Sequence, residues 1–440
     1  MQNINVCIVG GGHIGTTLAC YIKHTVEGAC VRLFTRKPEK FSSSIKCNDI
    51  EGGFSYVVEL DTISADPAIA AANADIVFVA LPHFAVEKAF ADIAPHVSPK
   101  AMIGVLPGGG GCEFVFHKYF KPEQTLFGFQ RVPFTAKLQE YGREANLKSW
   151  KPYSVVGTIP AGRVEGACAM VEACGLKTKP AANFLEVALT PTNPILHTSR
   201  THDLFGKHPR DHVFKERFKF YVGWTDHASE TLFGMDRELH NLLDAIKAHG
   251  IETVAIRPLS EHYESPTVPA LTAKINGIPT FQTVYAPLKE VEGGYAADTS
   301  TRMFTEDFPW GLAVIRSYFT LFGVPAPTMD KVLGWYADYM GLEWYKDGKF
   351  TGKDLAGTGI IQNHGLTSIA GLVSLYLHAY SIPNTVGFEK LQATNNQCPK
   401  GKSPFPVLNQ PSLRNSTFSA SNNIILPYSI GNTVGILNCA

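Results

Sequence analysis

Three glycines directly after the first apolar run constrain the fold of this chain more than any other feature. Residues 4–9 are followed by Gly10, Gly12 and Gly15, which satisfy the spacing G-x-G-x-x-G. The apolar run predicts a strand, and the amphipathic pattern from His13 to His24 predicts a helix. A glycine-rich turn of this kind predicts a βαβ unit that holds a pyrophosphate against backbone N–H groups and the positive end of the helix dipole.

The positions of the motif have different predicted roles. Gly10 allows the tight turn, Gly12 lets the backbone approach the pyrophosphate, and Gly15 lets the helix pack closely on the strand. His13 and Ile14, in the first helical turn, are also predicted to contact the cofactor. The alternative is a glycine-rich turn without a ligand, which the placement of the motif between strand and helix disfavours.

The first 189 residues alternate short apolar strands with helical patterns, which is typical of a parallel sheet with crossover helices. We therefore predict an α/β N-terminal Rossmann domain with a mainly parallel sheet over residues 1–189. The predicted strands are Asn5 to Val9, Cys30 to Thr35, Asp75 to Leu81, Met102 to Leu106 and Ser154 to Gly157, and a helix is predicted from Arg163 to Ala173.

Residues 190–388 show long helical periodicity and predict a mainly α-helical C-terminal domain that carries the substrate. Pro191 and Pro194 mark its start, because prolines interrupt a continuing helix. The predicted helices are Phe214 to His249, Met303 to Phe322 and Thr328 to Met340. After Glu389 no acidic residue occurs, and residues 389–440 predict a disordered, low-complexity tail.

Composition excludes several classes of function. The 39 Lys and Arg balance 39 Asp and Glu, so the net charge does not suggest a nucleic-acid partner. The first apolar run is too short for a secretory signal, and no stretch of 18 apolar residues predicts a membrane span. The nine cysteines contain no Cys-x-x-Cys pair. We expect a cytoplasmic protein with reduced thiols, no metal site and small-molecule partners.

The end of the second predicted strand bears on the choice of cofactor. NAD-binding domains usually carry an acidic residue there for the ribose hydroxyls. Arg36 and Lys37 occupy this place instead and could bind a 2′-phosphate. The sequence therefore favours NADP(H) over NAD(H), the alternative being two solvated surface cations.

Motifs in the second half resemble the opine dehydrogenase family, which includes octopine and nopaline dehydrogenases. The motifs are Thr192 to His197 (TNPILH), Thr301 to Pro309 (TRMFTEDFP) and Gly323 to Asp330 (GVPAPTMD), and the likeness spans roughly Asn3 to Asn384. Enzymes of that family condense an α-keto acid with the amino group of an amino acid and reduce the imine with NADH or NADPH. The resemblance implies an oxidoreductase that forms a CH–NH bond.

The resemblance also implies roles for three residues. His197 would be the catalytic acid/base, Asp307 its carboxylate partner, and Arg302 the group that binds a substrate carboxylate. The chemistry is consistent, since hydride transfer to an imine carbon needs a proton donor that titrates near neutrality. Glu306 is the rival of Asp307, and an acidic pair at a helix start is the structural alternative for both.

Two other functions fit the N-terminal motif. One is a Rossmann reductase of a keto or hydroxy acid, of the ketopantoate reductase or glycerol-phosphate dehydrogenase class, and its activity would not depend on an added amino acid. The other is a non-catalytic NADP(H)-binding sensor, which would oxidise no cofactor with any mixture of substrates.

Overall fold

The computed structural model describes residues 4–191 and 193–378. Thr192 and the predicted tail, residues 389–440, lie outside the described residues. In chain order the strands are β1 (Asn5–Val9), β2 (Cys30–Phe34), β3 (Ile45–Asp49), β4 (Phe54–Val58), β5 (Thr62–Ser64), β6 (Ile76–Val79), β7 (Met102–Val105), β8 (Thr125–Phe129), β9 (Phe134–Glu140), β10 (Glu144–Trp150), β11 (Ser154–Ile159), β12 (Thr178–Pro180), β13 (Leu288–Val291), β14 (Gly294–Ala297), β15 (Tyr345–Lys346) and β16 (Lys349–Phe350).

The helices cross over between the early strands and dominate the chain after residue 190. They are α1 (His13–Thr25), α2 (Pro67–Ala70), α3 (Val86–Ile93), α4 (Cys112–Tyr119), α5 (Val164–Ala173), α6 (Leu185–Ala188), α7 (Asn193–Phe205), α8 (Asp226–Lys247), α9 (Leu259–His262), α10 (Val268–Gly277), α11 (Arg302–Thr305), α12 (Ala313–Phe322), α13 (Pro327–Met340) and α14 (Ile369–His378).

The larger sheet of the described residues has eight strands in the order β12-β11-β8-β7-β6-β1-β2-β5. From β5 to β8 all pairs are parallel, whereas β11 is antiparallel to β8. The central strands β1, β6 and β7 are almost continuously buried, because helices cover both faces of the sheet. The predicted class, a mainly parallel Rossmann-type sheet followed by helices, is confirmed.

A second sheet was not predicted from the sequence. Its strands β4-β3-β10-β9 are mostly antiparallel, but β3 and β10 pair in parallel although about 100 residues separate them. It packs against α1 through a small cluster that includes Cys20, Cys47 and Ala145. These strands are half exposed and carry many polar residues, so their apolar periodicity is weak.

The prediction of one helix from Phe214 to His249 is wrong in its first third. Helix α8 begins only at Asp226, where the side chain of Thr225 accepts the N–H of Ala228 at 3.1 Å. The preceding segment is irregular, with bends and turns and two isolated bridges, Phe214 opposite Tyr295 and Lys219 opposite Tyr285. The aromatic side chains of this segment resemble a helical core pattern, but tertiary pairing decides their backbone conformation.

The other two helices predicted in this part are present with different detail. The segment from Met303 to Phe322 is helical but changes from α11 to a π-helical turn over Asp307–Leu312 before α12 begins. Helix α13 begins at Pro327, one residue before its predicted start. Helix α7 lies in the middle of the helical part, and nearly all of its residues from 195 to 202 are buried.

Candidate active site

The glycine loop between β1 and α1 has an open face and a closed face. A side chain at Gly10 would place its Cβ 2.6 Å from the carbonyl oxygen of Ala80, and the φ of Gly10 is +114°. At Gly15 a Cβ would collide with the carbonyl oxygen of Gly10, so α1 packs directly on the turn. At Gly12 a Cβ would meet nothing within 4 Å. The loop therefore leaves one side of its backbone accessible to a ligand, as a pyrophosphate requires.

Two cavities meet at this loop. The larger, about 780 Å³, runs along the end of β2, and the smaller, about 360 Å³, runs towards the helical part. Gly12, Leu81, Pro82 and Tyr141 line both. Both cavities therefore border the open face of the glycine loop.

The larger cavity has a basic wall. Arg36 and Lys37 are exposed at the end of β2 and line it together with Lys40, which the sequence analysis did not single out. Asp92 also lines it but pairs with Lys88 at 2.9 Å. Lys40 could have been predicted from the sequence as well, because it follows Arg36 by four residues in the same loop.

The two helical residues of the motif, His13 and Ile14, line the smaller cavity. The Nδ1 atom of His13 accepts the backbone N–H of Leu138 at 3.0 Å. This bond orients the imidazole towards β9. His13 thus connects the glycine loop to the smaller sheet as well as facing the cavity.

The structure brings His197 and Asp307 together from positions 110 residues apart. His197 lies one turn into α7 and is 1% exposed, and its Nδ1 lies 2.7 Å from Oδ2 of Asp307 in the π-helical turn. An ionised carboxylate only accepts hydrogen bonds, so Nδ1 is the donor of this contact when Asp307 is ionised. The Nε2 atom of His197 is buried and has no hydrogen-bond partner among the described residues.

The close packing of the π-helical turn on α7 depends on a small residue. A Cβ at Gly311 would stand 2.8 Å from the side chain of Pro194, near the start of α7. Pro194, Asn193 and Asp307 all line the smaller cavity, whereas His197 lies buried behind them. The dyad therefore borders the cavity through its carboxylate, and the imidazole is one step further from solvent.

Arg302 and Glu306 form a second group at the same cavity. Nε of Arg302 donates to Oε2 of Glu306, and Oε1 of Glu306 accepts the backbone N–H of His83 at 2.9 Å. Burial alone would raise the pKa of Glu306, but His83 and Arg302 beside it hold that pKa below its ordinary value. Both oxygens of the Glu306 carboxylate are thus bonded to Arg302 and His83, and Asp307 is the carboxylate that contacts His197.

Several lining residues were missed by sequence reasoning. His83 lies four residues after β6 and Gln130 directly follows β8, so both lie near the carboxyl ends of parallel strands, where ligands of such sheets bind. That rule could have identified them. Trp310 gave no separate signal, because an aromatic residue in a helical run usually belongs to the core.

Comparison with known proteins agrees with this architecture in both halves of the chain. Residues 180–340 match the family described as NAD/NADP octopine/nopaline dehydrogenase, alpha-helical domain. Residues 6–146 match ketopantoate reductase PanE/ApbA. Tauropine dehydrogenase of Arabella iricolor is 26% identical, over 83% of this chain and 99% of the relative. Octopine dehydrogenase of Pecten maximus is also 26% identical, over 85% and 99%.

The chain therefore resembles the opine dehydrogenases over most of its length. A solved structure of an octopine dehydrogenase with NADH and L-arginine has the same fold, with a TM-score of 0.76 at 24% identity, and covers 84% of this chain and 98% of that one. Yersinopine dehydrogenase with NADP+ is more distant, with a TM-score of 0.59 at 16% identity over 82% and 98%. The ketopantoate reductase likeness in sequence is confined to the sheet-containing half, and the named opine dehydrogenases are oxidoreductases that act on CH–NH donors.

Two further findings concern alternatives. No group of three His, Cys, Asp or Glu side chains within the described residues is placed to hold a metal ion. None of the described helices combines the length and apolarity that a membrane crossing would require.

Proposed function

We propose that this chain is an opine dehydrogenase, which reductively condenses an α-keto acid with the amino group of an amino acid and uses a nicotinamide cofactor held at the glycine loop. The observation that carries the proposal is the buried His197–Asp307 pair beside the smaller cavity, with one imidazole nitrogen unpaired. A buried, unpaired nitrogen costs free energy unless a ligand group reaches it. A substrate that exchanges a proton with Nε2 of His197 would supply the missing hydrogen-bond partner.

The reaction requires proton movements that His197 can perform. The amine adds to the keto carbon, water leaves, and the resulting imine takes up a hydride at carbon and a proton at nitrogen to give a secondary amine. The bound nicotinamide supplies the hydride. His197 holds or delivers the proton at Nε2, while Asp307 keeps Nδ1 protonated and the ring oriented.

Arg302 is the proposed site for a substrate carboxylate. A guanidinium has five N–H donors, so its bond to Glu306 through Nε is compatible with a bidentate bond to a carboxylate. Glu306 in turn is anchored to His83 of the N-terminal half. The carboxylate of the keto acid would then be held between the two halves of the molecule, close to Gly108, Gly109 and Gly110 of the glycine-rich loop after β7.

The position of His197 implies a movement when substrates bind. The imidazole lies behind Asn193, Pro194 and Asp307 and does not itself line the cavity. Catalytic hydrogen bonds often form only in the complex with substrates, when the cleft closes and water is excluded. Water exclusion also suits an imine, because hydrolysis competes with its reduction.

For the cofactor we propose a preference for NADP(H) over NAD(H). Arg36, Lys37 and Lys40 surround the place of the adenosine ribose, and the acid in that lining, Asp92, is paired with Lys88. A 2′-phosphate would pair with these cations, whereas a ribose hydroxyl would leave them without an anion.

The test is a screen for NADPH and NADH oxidation across pairs of keto acids and amino acids, followed by His197→Gln. We expect turnover only when both substrates are present, and a loss of roughly 100-fold to 10,000-fold in kcat in the variant. NADPH binding, followed by its fluorescence, should persist. The matched control is His96→Gln, because His96 is exposed on the N-terminal half.

Three results would contradict the proposal. Unchanged turnover in His197→Gln would show that His197 is not the catalytic acid/base. Oxidation that needs no amine would favour a keto acid reductase, and no oxidation with any mixture would favour a cofactor-binding sensor.

A further inference from the structure

Three basic side chains and a histidine lie where the loop before β9 and the residue after β10 meet the segment that contains α9. We call this set the basic junction: Arg131, Lys151, Arg257 and His262. Arg131, Lys151 and His262 are half-buried, and Arg257 is exposed at the rim. Neither the dyad nor the glycine loop uses any of them.

Backbone and side-chain bonds hold the junction together. The N–H of Lys151 donates to the carbonyl oxygen of Pro133 at 2.9 Å, which places Lys151 beside the loop that carries Arg131. The side chain of Gln130 donates to the carbonyl oxygen of Ala255 at 3.2 Å, which brings in the segment that carries Arg257. The junction is therefore assembled by tertiary contacts between the two halves of the molecule.

The electrostatics of the junction are unfavourable without an anion. Burial lowers the pKa of His262 to about 3, and Arg131, Arg257 and Lys151 lower it further. Burial likewise lowers the pKa of Lys151 to about 8, with Arg131 as the charged neighbour that adds to the effect. Like charges taken out of water destabilise one another unless an opposite charge joins them.

No acidic side chain of residues 4–191 and 193–378 forms an ion pair with Arg131, Lys151 or Arg257. Glu186 lies at the same junction, but its two carboxylate oxygens accept the backbone N–H groups of Ala182 and Ala255. The Nε2 atom of His262 is also buried without a hydrogen-bond partner in the described part of the chain. The junction thus offers several donors and lacks an acceptor.

We infer that the basic junction is a binding site for an oxyanion, a carboxylate or sulfonate group, held by Arg131 and Lys151 with Arg257 at its mouth. A guanidinium matches the two oxygens of such a group, and an ammonium adds a point charge. A bound anion would supply the acceptor that the protein itself does not.

The site adjoins the smaller cavity. Gln130 and Val132, on either side of Arg131, line that cavity, and Arg131 donates to the carbonyl oxygen of Pro191 at 3.5 Å, next to the lining residue Thr190. The source of the anion that this placement suggests is the acidic side chain of the amino acid substrate, an inference that rests on the proposed function. A separate small anion bound at the same place is the other source.

The first experiment measures binding of inorganic sulfate to the full chain by titration calorimetry, at low millimolar sulfate and constant ionic strength. We expect binding by the wild type and roughly tenfold weaker binding by Lys151→Gln and by Arg131→Gln. Lys151→Arg should retain affinity. The matched control is Lys177→Gln, because Lys177 is exposed and lies outside the junction. Retained NADPH binding shows that each variant is folded.

The second experiment compares L-aspartate and L-glutamate with L-asparagine and L-glutamine as amine donors. Preference for the acids over the amides that disappears in Lys151→Gln assigns the anion to the substrate. Equal use of acids and amides, with sulfate binding that depends on Lys151, assigns a separate anion.

The inference is overturned if L-aspartate and L-glutamate have no advantage over their amides and one of two sulfate results is also found. Either the variants bind sulfate as tightly as the wild type does, or neither the wild type nor the variants bind it. If no amine donor supports turnover, the proposed function fails, while sulfate binding still decides whether the junction is an anion site.

Discussion

At the residue scale, the glycines of the first loop make separable contributions. A methyl group at Gly15 would collide with the carbonyl oxygen of Gly10, whereas a methyl group at Gly12 would point into the open cavity. The φ of Gly12 is −87°, which any residue can adopt. Gly15 is therefore needed for the fold, and Gly12 leaves room for the ligand.

We therefore predict opposite outcomes for two substitutions. Gly15→Ala should lower the free energy of unfolding by about 3 kcal/mol, because backbone must move. Gly12→Ala should lower it by less than about 1 kcal/mol and raise the KM for the cofactor, because the methyl group occupies the place of the pyrophosphate. Denaturant unfolding and steady-state kinetics measure the two effects. Equal stability losses with an unchanged KM would contradict this division of roles.

The cofactor preference is also a residue-scale property. Arg36→Gln should raise the KM for NADPH roughly tenfold and leave the KM for NADH nearly unchanged, because only NADPH carries the 2′-phosphate. Arg163→Gln is the matched control, since Arg163 is exposed away from both cavities. An equal effect on the KM of both cofactors would show that Arg36 does not bind the 2′-phosphate.

At the scale of elements, a buried carboxyl group connects three helices. Glu113 on α4 accepts the hydroxyl of Tyr318 on α12 at 3.0 Å and that of Tyr376 on α14 at 3.1 Å. Burial raises the pKa of Glu113, and the hydrogen bonds from its own backbone, from the two tyrosines and from Cys112 oppose that rise without cancelling it. The network favours a protonated carboxyl group in the folded state.

This network predicts a pH dependence of stability. In the unfolded chain Glu113 ionises near its ordinary value of 4.5, while in the folded chain it stays protonated to higher pH. The folded state then binds more protons, so stability falls as the pH rises above 4.5. Glu113→Gln cannot ionise and keeps both acceptor bonds. We expect its free energy of unfolding to approach that of the wild type near pH 4 and to exceed it increasingly towards pH 7.

Chemical denaturation of both proteins at several pH values tests this expectation. A difference between the two proteins that stays constant across that range would show that the pKa of Glu113 is the same in the folded and unfolded chains. The readout is specific, because every other titrating group is common to the two proteins and cancels in the comparison.

Helices and strands whose apolar residues show a strong periodicity agree with the sequence prediction, whereas segments without that periodicity do not. The strand at β1 and the helix α1 were predicted within one or two residues, since their apolar periodicity is strong. The segment from Phe214 to Thr225 was predicted as helix but pairs with residues near Tyr285 and Tyr295. Aromatic residues spaced as in a helix are equally compatible with an irregular segment whose side chains are buried by tertiary contacts.

At the scale of the whole molecule, the candidate site lies where the two halves of the chain meet. Glu306 of the second half holds His83 of the first, and Gln130 of the first half holds Ala255 of the second. The cavity wall therefore combines residues from the glycine loop, the loop after β7 and the π-helical turn. The domain limits predicted at residues 189, 190 and 388 stay predictions, as do the catalytic and binding roles assigned to individual residues.

The sequence by itself determined what local chemistry can determine. The spacing of Gly10, Gly12 and Gly15 specifies a glycine-rich turn between a strand and a helix. The sequence also shows directly that Arg36 and Lys37, rather than a carboxylate, stand at the end of the second strand. The motifs around His197 and Arg302 carry the family resemblance. Each of these features depends on neighbours within a few residues, so no knowledge of the folded chain is needed to interpret it.

Only the tertiary structure decided which side chains meet. It paired His197 with Asp307 rather than with Glu306, joined β3 to β10, and gathered the basic junction from three separate segments. The physical reason is that hydrogen bonding and charge act over a few ångströms of space, whereas these partners are up to 131 residues apart along the chain, and composition cannot specify which of many compatible partners the packing selects.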